Sequence, residues 1–259
     1  MGNFCVTGSA SGIGAATAAH LEAAGHRVIG VDLHRADVTG DLSTSDGRAS
    51  VVAEVLDACG GVLDGLVPCA GVSGILNAAE LTVSLNYFGA MATLTGLRSA
   101  LARGTNPAVV MISSNSTILT AALTLADADT YLHNDEDTAR ASFAGRGFIA
   151  YPAGKMAISH WIRQHAAEWM ADGIRLNAVA PGVTDTAMVA PLKDVEAARK
   201  ALEAMPIPAG RWGQPDDIAN VILFLLSQQS SYIVGQTILV DGGTDAVLNP
   251  RSHPRPTGT

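Results

Sequence analysis

The sequence predicts a single α/β domain in which a doubly wound parallel sheet is covered by helices on both faces. Short apolar strand candidates alternate with longer helix candidates along the whole chain, which is typical of such a sheet. The 259 residues are 48% hydrophobic and only 15% charged, which excludes a disordered, collagenous or coiled-coil chain. One large-cored domain accommodates this length, and we expect it to span residues 1–248.

The expected strands are short apolar segments, and the expected helices carry apolar residues at i, i+3 and i+4 spacing. The strands are placed at residues 3–7, 27–32, 64–69, 108–113, 174–179 and 236–240, with a shorter one around 36–38. The helices are placed at residues 13–24, 43–59, 82–103, 150–171 and 215–227. Gly25 and Gly60 follow two of these helices, where a left-handed cap is expected.

Two stretches interrupt this alternation. The one between Ser114 and Tyr151 is too long for a plain loop, so we expect an insertion at about 116–147 with an extra helix over 134–143. The other, residues 184–207, combines prolines with a short helical piece at 194–205 and is interpreted as a substrate lid. The tail, residues 249–259, is rich in proline and poor in apolar side chains, so we expect it to be flexible.

The composition of the chain argues against several classes of binding partner and site. The 16 basic residues are outnumbered by 24 acidic ones and are scattered, which argues against nucleic acid. The longest strongly apolar run, residues 221–226, is far below the roughly 18 residues of a membrane span. Because no basic segment precedes the first strand, we expect a cytoplasmic protein. Cys5, Cys59 and Cys69 lack Cys-x-x-Cys spacing and indicate neither disulfides nor a metal site.

A glycine-rich turn follows the first strand. The segment from Thr7 to Gly14 reads T-G-S-A-S-G-I-G and opens a helix, whose free N–H groups and dipole would bind a pyrophosphate. Asp32 ends the second strand 18 residues beyond Gly14, where a carboxylate can bind the ribose hydroxyls. The glycines alone would be compatible with an ordinary turn. Together with the preceding strand, the following helix and Asp32, they predict a Rossmann-like dinucleotide-binding site.

Asp32 also favours NAD over NADP, because a carboxylate repels a 2′-phosphate. Neither Ser11 nor Leu33 offers the positive charge that NADP would need, and Arg35 is interpreted as a solvated surface residue. Asp41, at the head of the next helical segment, is expected either to contact adenine or to cap that helix.

The segment from Tyr151 to Lys155, Y-P-A-G-K, is the strongest local signal. Residues four apart share a helix face, and an ammonium beside a phenol stabilises the phenolate. This would lower the pKa of Tyr151 from about 10 towards neutrality and make it an acid/base. With four tyrosines and three lysines in the chain, such a pair is expected by chance only about 0.05 times. Pro152 fits a helix only in its first turn.

The order of these motifs resembles the short-chain dehydrogenase/reductase family over residues 3–246. The other shared segments are Asn86-Tyr87-Phe88-Gly89, Ser114, Pro181-Gly182 and Asp241-Gly242-Gly243. The abrupt start, the insertion and the ending after Asp241 are most similar to the bacterial 3α-hydroxysteroid dehydrogenase/carbonyl reductase subgroup. The family usually has Asn-Asn-Ala-Gly where this chain has Pro68-Cys69-Ala70-Gly71, from which we expect modest effects on cofactor affinity.

The resemblance implies roles for individual residues. Tyr151 would be the general acid/base, and Lys155 would bind the nicotinamide ribose and lower the tyrosine pKa. Ser114 would hydrogen-bond the substrate oxygen, and Asn86 would hold a water in a proton relay. The residues expected to bind NAD, from the motifs and the resemblance together, are Gly8, Ser11, Gly12, Ile13, Gly14, Asp32, Leu33, Asp41, Leu42, Cys69, Ala70, Gly71, Tyr151, Lys155, Pro181, Gly182, Val183, Thr184 and Thr186.

The expected substrate is an apolar secondary alcohol or its ketone, such as a hydroxysteroid. This expectation rests on the apolar side chains of the lid, which would line a substrate pocket. An equally good interpretation is that these side chains only pack within the protein. They are Ala187, Met188, Val189, Ala190, Leu192 and Met205. Aryl alcohols of the coniferyl type and terpenoid alcohols are alternatives on the same site. An alternative of another class is a non-catalytic NAD(H)-sensing module, against which the intact Ser, Tyr, Lys and Asn set argues.

The resemblance also implies a homo-oligomer. The family associates through helices that correspond to residues 82–103 and 150–171. Because the insertion leads back to the second of these helices, we expect it to cover that surface. A dimer through residues 215–227 and the last strand is therefore favoured over a tetramer.

Overall fold

A computed structural model of the chain describes residues 1–252. Seven parallel strands form one sheet in the spatial order β3-β2-β1-β4-β5-β6-β7, flanked by helices on both faces. They are β1 (Asn3–Thr7), β2 (Arg27–Asp32), β3 (Val38–Thr39), β4 (Gly65–Pro68), β5 (Ala108–Ile112), β6 (Arg175–Pro181) and β7 (Thr237–Val240). The predicted doubly wound α/β fold is confirmed. Of the tail that we expect to be flexible, residues 253–259 lie outside the described residues.

Most helices connect consecutive strands, as parallel pairing requires. They are α1 (Gly12–Ala23), α2 (Ser45–Ala58), α3 (Ala79–Val83), α4 (Ala90–Gly96), α5 (Arg98–Leu101), α6 (Ser116–Leu119), α7 (Leu125–Leu132), α8 (Glu136–Phe143), α9 (Gly147–Ala171), α10 (Glu196–Glu203), α11 (Pro215–Leu226) and α12 (Thr244–Leu248). A π-helical turn, Ser84–Gly89, joins α3 to α4, and 3₁₀ turns lie at Ala190–Asp194 and Gln228–Ser230.

The core has two layers because successive strand residues point to opposite faces of the sheet. Cys5 packs in the layer under α2, α4 and α9, and Val6 packs in the layer under α1 and α11. Gly25 and Gly60 have positive φ angles of 82° and 60°, which confirms the expected helix caps. Among residues 1–252, no helix has both the length and the apolar character needed to cross a bilayer.

The prediction of one continuous helix over residues 82–103 is wrong. The structure has α3, the π-helical turn, α4 and α5 in its place. The Ser84 carbonyl at the start of the π-helical turn accepts a hydrogen bond from Arg48 on α2 at 2.8 Å. Gly89 at its end packs so closely on the Leu42 carbonyl that a Cβ would lie 2.8 Å from that oxygen. These contacts are made by residues far away in the sequence, so the local spacing of apolar residues could not predict them.

The insertion holds more helix than predicted. Besides α8, which lies within the expected segment, it contains α6 and α7. The start of α7 carries a sequence signal, the capping box in which Thr124 and Asp127 each bond the other's backbone N–H. Tyr131 on α7 stacks on Phe143 of α8, and its hydroxyl donates to the Ala150 carbonyl of α9 at 2.7 Å. The insertion is thus packed against α9.

Pro152 lies in the second turn of α9, contrary to the expectation that it would need the first. The helix begins at Gly147, so the proline deprives the Phe148 carbonyl of its usual donor. Phe148 is 60% exposed, which allows water to supply that donor.

Candidate active site

A cavity of about 490 Å³ opens at the carboxyl ends of the central strands. The strand order reverses between β1 and β4, and open α/β sheets bind ligands at such a reversal. Every predicted site residue except Val183 lines this cavity. The Val183 carbonyl instead accepts the backbone N–H of Gly213 at 2.9 Å. The sheet therefore brings together residues that are spread over most of the sequence.

The glycine turn places the start of α1 at this cavity. A Cβ on Gly14 would lie 2.1 Å from the Gly8 carbonyl oxygen, so only glycine fits there. The N-cap residue, Ser11, makes no side-chain capping bond, and the first turn contains no acidic residue. The first-turn N–H groups are thus left for a ligand, and an anion such as a pyrophosphate suits them.

Asp32 stands at the end of β2 and lines the same cavity. Its carboxylate accepts the backbone N–H of Ala10 at 3.0 Å and that of Leu33 at 2.7 Å. These bonds fix a negative charge beside the glycine turn. This charge is compatible with ribose hydroxyls and unfavourable for a phosphate group.

Asp41 lines the cavity as well, and the alternative that it caps the next helix is wrong. Thr44 is the N-cap of α2 and accepts the N–H of Gly47 at 3.1 Å. The Asp41 carboxylate accepts the backbone N–H and the hydroxyl of Ser43 at 2.8 and 2.6 Å. It therefore shapes the turn before the helix.

The loop after β4 lacks the asparagines that are usual in the family, but hydrogen bonds to Thr7 fix its backbone. The Thr7 hydroxyl oxygen accepts the N–H groups of Cys69 and Ala70, both at 3.0 Å. These two bonds join the ends of β1 and β4 at the reversal of strand order. The backbone of this loop keeps a fixed place at the cavity without the usual asparagines.

Tyr151 and Lys155 lie one turn apart on α9 and both line the cavity, with the lysine Nζ 5.8 Å from the centre of the tyrosine ring. Nζ donates to the Ile112 carbonyl at the end of β5 at 2.8 Å. Burial lowers the pKa of Lys155 to about 8, against the opposing effect of the Cys69 thiol. The ammonium is therefore held at the sheet edge by a backbone oxygen.

The expected lowering of the Tyr151 pKa is wrong, because the structure raises it. Burial raises the pKa of Tyr151, the Ser114 hydroxyl lowers it by hydrogen bonding, and Cys69 raises it. Desolvation is the largest of these effects, although the Lys155 ammonium lies 5.8 Å from the centre of the ring. The phenol therefore carries its proton at neutral pH.

Ser114 and Asn86 reach the cavity from different elements. Ser114 follows β5, is buried, and accepts the backbone N–H of Ser116 at 3.1 Å. Asn86 belongs to the π-helical turn, a feature often found at functional sites. Its amide accepts the N–H of Val72 at 2.8 Å and donates to the carbonyl of Val72 at 2.9 Å. The Asn86 side chain thus holds the loop after β4.

A serine pair joins the strand that leads to Ser114 to the helix that carries the tyrosine. The Ser113 hydroxyl donates to the Lys155 carbonyl at 2.9 Å and lies 2.9 Å from the Ser159 hydroxyl. Because Ser113 is buried, these bonds form away from water. Ser114 and Tyr151 are consequently held in a fixed mutual position.

Some cavity residues escaped the prediction, and some lid residues do not reach the cavity. The missed residues are Gly40, Ser43, Val72, Leu81, Leu85, Ile112 and Ser113. Leu81 and Leu85 had a usable signal, since they are four apart and Leu85 directly precedes Asn86. Of the apolar lid residues, Ala187, Met188 and Val189 line the cavity, whereas Ala190, Leu192 and Met205 do not. Over residues 1–252, no group of three His, Cys, Asp or Glu side chains could hold a metal ion.

The lowered pKa of Lys155 predicts a pH-dependent contribution to stability. Between its folded pKa of about 8 and the ordinary value of 10.5, the unfolded chain binds the proton and the folded chain does not, so the free energy of unfolding rises with pH. Relative to Lys155→Met, the wild type should gain up to about 3 kcal/mol between pH 7 and pH 10 in denaturant titrations.

Lys200→Met is the matched control for this titration, because the Lys200 side chain is 67% exposed. Its stability relative to the wild type should not change over the same pH interval. A constant difference between the wild type and Lys155→Met would contradict the lowered pKa.

Comparison with known proteins identifies the family. The family model described as enoyl-(acyl carrier protein) reductase matches residues 8–245. The 3-alpha-hydroxysteroid dehydrogenase/carbonyl reductase of Comamonas testosteroni is 40% identical over 255 residues, covering 96% of this chain and 99% of that protein. The crystal structure of the 3-alpha-hydroxysteroid dehydrogenase from Pseudomonas sp. B-0831 complexed with NADH is 42% identical, with a TM-score of 0.92 over 96% of this chain and 99% of that chain. The chain therefore belongs to the short-chain dehydrogenase/reductase family of oxidoreductases.

Proposed function

We propose that this enzyme interconverts a hydrophobic secondary alcohol of the hydroxysteroid class and its ketone, using NAD. The main support is that Ser114, Tyr151 and Lys155 converge in one cavity that the glycine turn and Asp32 also line. Two similar proteins, from Comamonas testosteroni and Pseudomonas sp. B-0831, carry 3-alpha-hydroxysteroid dehydrogenase in their names, and the second was crystallised with NADH.

The chemistry follows from the protonation state of the phenol. A nicotinamide dinucleotide supplies the hydride chemistry when it is bound. In carbonyl reduction, Tyr151 donates its proton to the carbonyl oxygen, while the Ser114 hydroxyl hydrogen-bonds that oxygen. In alcohol oxidation, the Tyr151 phenolate accepts the hydroxyl proton. Because burial raises the pKa of Tyr151, the proton-donating form is present at neutral pH.

The apolar part of the cavity supports a hydrophobic substrate. Leu81 and Leu85 line it from α3 and the π-helical turn, and Met188 and Val189 line it from the lid. Such a wall favours a fused-ring or other apolar skeleton over a sugar, whose hydroxyls would lack partners there. The reacting oxygen would lie at the polar end, beside Tyr151.

The direct test is NADH oxidation, followed by absorbance, with a matched panel of 3-ketosteroids, aryl ketones, terpenoid ketones and keto sugars. We expect the highest kcat/KM with a 3-ketosteroid. A preference for aryl or terpenoid ketones would keep the chemistry but replace the substrate class. No turnover of any ketone with NADH or NADPH would overturn the proposed reaction.

Asp32→Asn should weaken the preference for NAD. The asparagine keeps an acceptor for one of the two backbone N–H groups but removes the charge that repels a 2′-phosphate. We expect the ratio of kcat/KM for NADH to that for NADPH to fall at least about tenfold, because like-charge contacts cost several kcal/mol.

The control for this variant is Asp37→Asn, which makes the same charge change nearby. Asp37 also accepts a backbone N–H, that of Gly30 at 2.8 Å, but does not line the cavity. An equal loss of preference in both variants would assign the effect to overall charge.

A further inference from the structure

Arg48 is a buried cation of α2 that joins separate parts of the chain. Its Nε donates to the Leu42 carbonyl at 2.8 Å, and its Nη2 donates to the Ser84 carbonyl at 2.8 Å. Nη2 also lies 3.2 Å from the Ser43 carbonyl oxygen. One planar guanidinium therefore holds the loop before α2 and the π-helical turn together.

Both of these segments belong to the wall of the cavity. Leu42 and Ser43 line it beside Asp41, and Ser84 begins the turn that carries Asn86. Leu42 also packs on Gly89 at the other end of that turn. A displacement of Arg48 would therefore change the cavity wall on two sides.

The insertion fixes this guanidinium through Glu136, in the first turn of α8. The carboxylate oxygens accept from Nη1 at 2.6 Å and from Nη2 at 2.9 Å, which is a bidentate pair. The Arg48 side chain is 10% exposed and the Glu136 side chain 25%, so solvent screens the pair only weakly. Burial raises the pKa of Glu136, but hydrogen bonds from Arg48 and Ser84 outweigh this effect and keep the pKa below its ordinary value.

We propose that Arg48 and Glu136 are positioning residues, through which the insertion sets the affinity of the dinucleotide site by holding Leu42, Ser43 and the π-helical turn. This inference rests on the proposed function, since it assumes that the cavity binds NAD(H). Neither residue lines the cavity, so both act through the backbone that does.

The test is Glu136→Gln, which preserves shape but removes the charge of the pair. We expect the dissociation constant for NADH, measured by fluorescence titration, to rise about fivefold to tenfold. The KM for NADH should rise similarly, with a smaller change in kcat. Arg48→Lys should weaken NADH binding too, because an ammonium cannot reproduce the fork that spans Leu42 and Ser84.

The matched control is Asp137→Asn, which removes the same charge from the neighbouring, exposed residue of the same helical turn. It should leave NADH affinity unchanged. If Glu136→Gln lowers only the melting temperature and binds NADH as the wild type does, the pair is merely structural and the inference is overturned. If the wild type itself does not bind NADH, the proposed function fails instead, and the two failures are thereby distinguished.

Discussion

Tyr151→Phe should bind NADH with wild-type affinity and lose about a thousandfold in turnover of the best ketone. In the proposed mechanism the phenol hydroxyl gives or takes the substrate proton, and a positioned acid/base contributes on the order of 10² to 10⁴ in rate. NADH fluorescence titration and steady-state kinetics on the same preparation measure the two quantities.

Tyr232→Phe is the control for removal of a tyrosine hydroxyl, since Tyr232 is fully exposed and lies outside the cavity. It should keep full activity. If Tyr151→Phe retained more than about a tenth of wild-type turnover, the phenol would not be the acid/base.

Gly14→Ala should abolish NADH binding, with an affinity loss of more than about a hundredfold. The added methyl carbon would lie 2.1 Å from the Gly8 carbonyl oxygen and 3.3 Å from the Ser9 nitrogen, so the turn must open. Opening it displaces the first N–H groups of α1 from the cavity. We also expect a stability loss of about 3 kcal/mol, measured by denaturant titration.

The same substitution at the other end of α1 provides the control. Gly25→Ala adds a methyl group with no atom within 4 Å, but at a φ of 82°. It should cost about 1 kcal/mol of stability and leave NADH affinity intact. Equal affinity losses in the two variants would show that backbone strain, rather than the clash with Gly8, controls binding.

The features that the sequence could predict depend on short-range spacing. The i, i+4 placement of Tyr151 and Lys155 requires only that the segment be helical, which its composition indicates. The glycine turn and Asp32 were predictable for a similar reason, because each stands directly at the end of a strand. Parallel pairing then brings those strand ends to a common edge of the sheet.

The features that the sequence could not predict depend on contacts between distant segments. The π-helical turn over Ser84–Gly89 is stabilised by Arg48 and Leu42, which local helix propensity does not register. The prediction of a lowered pKa for Tyr151 is wrong because the spacing shows that Lys155 is near but not how deeply the phenol is buried, and burial is the main cause that raises this pKa. Neither the contacts of the π-helical turn nor the burial of the phenol can be inferred from the neighbouring residues in the sequence.

The hydrogen bonds of Ser113 to the Lys155 carbonyl and the Ser159 hydroxyl have a consequence for evolution and engineering. They make the strand end and the helix one rigid block, whereas Ala187, Met188 and Val189 reach the cavity from a separate segment. Mutational libraries at those three positions can therefore diversify the accepted substrates while the relative position of Ser114 and Tyr151, on which the proposed mechanism depends, is unchanged. Substitutions at Ala187, Met188 and Val189 should therefore change substrate specificity far more readily than substitutions in the block formed by the strand end and the helix.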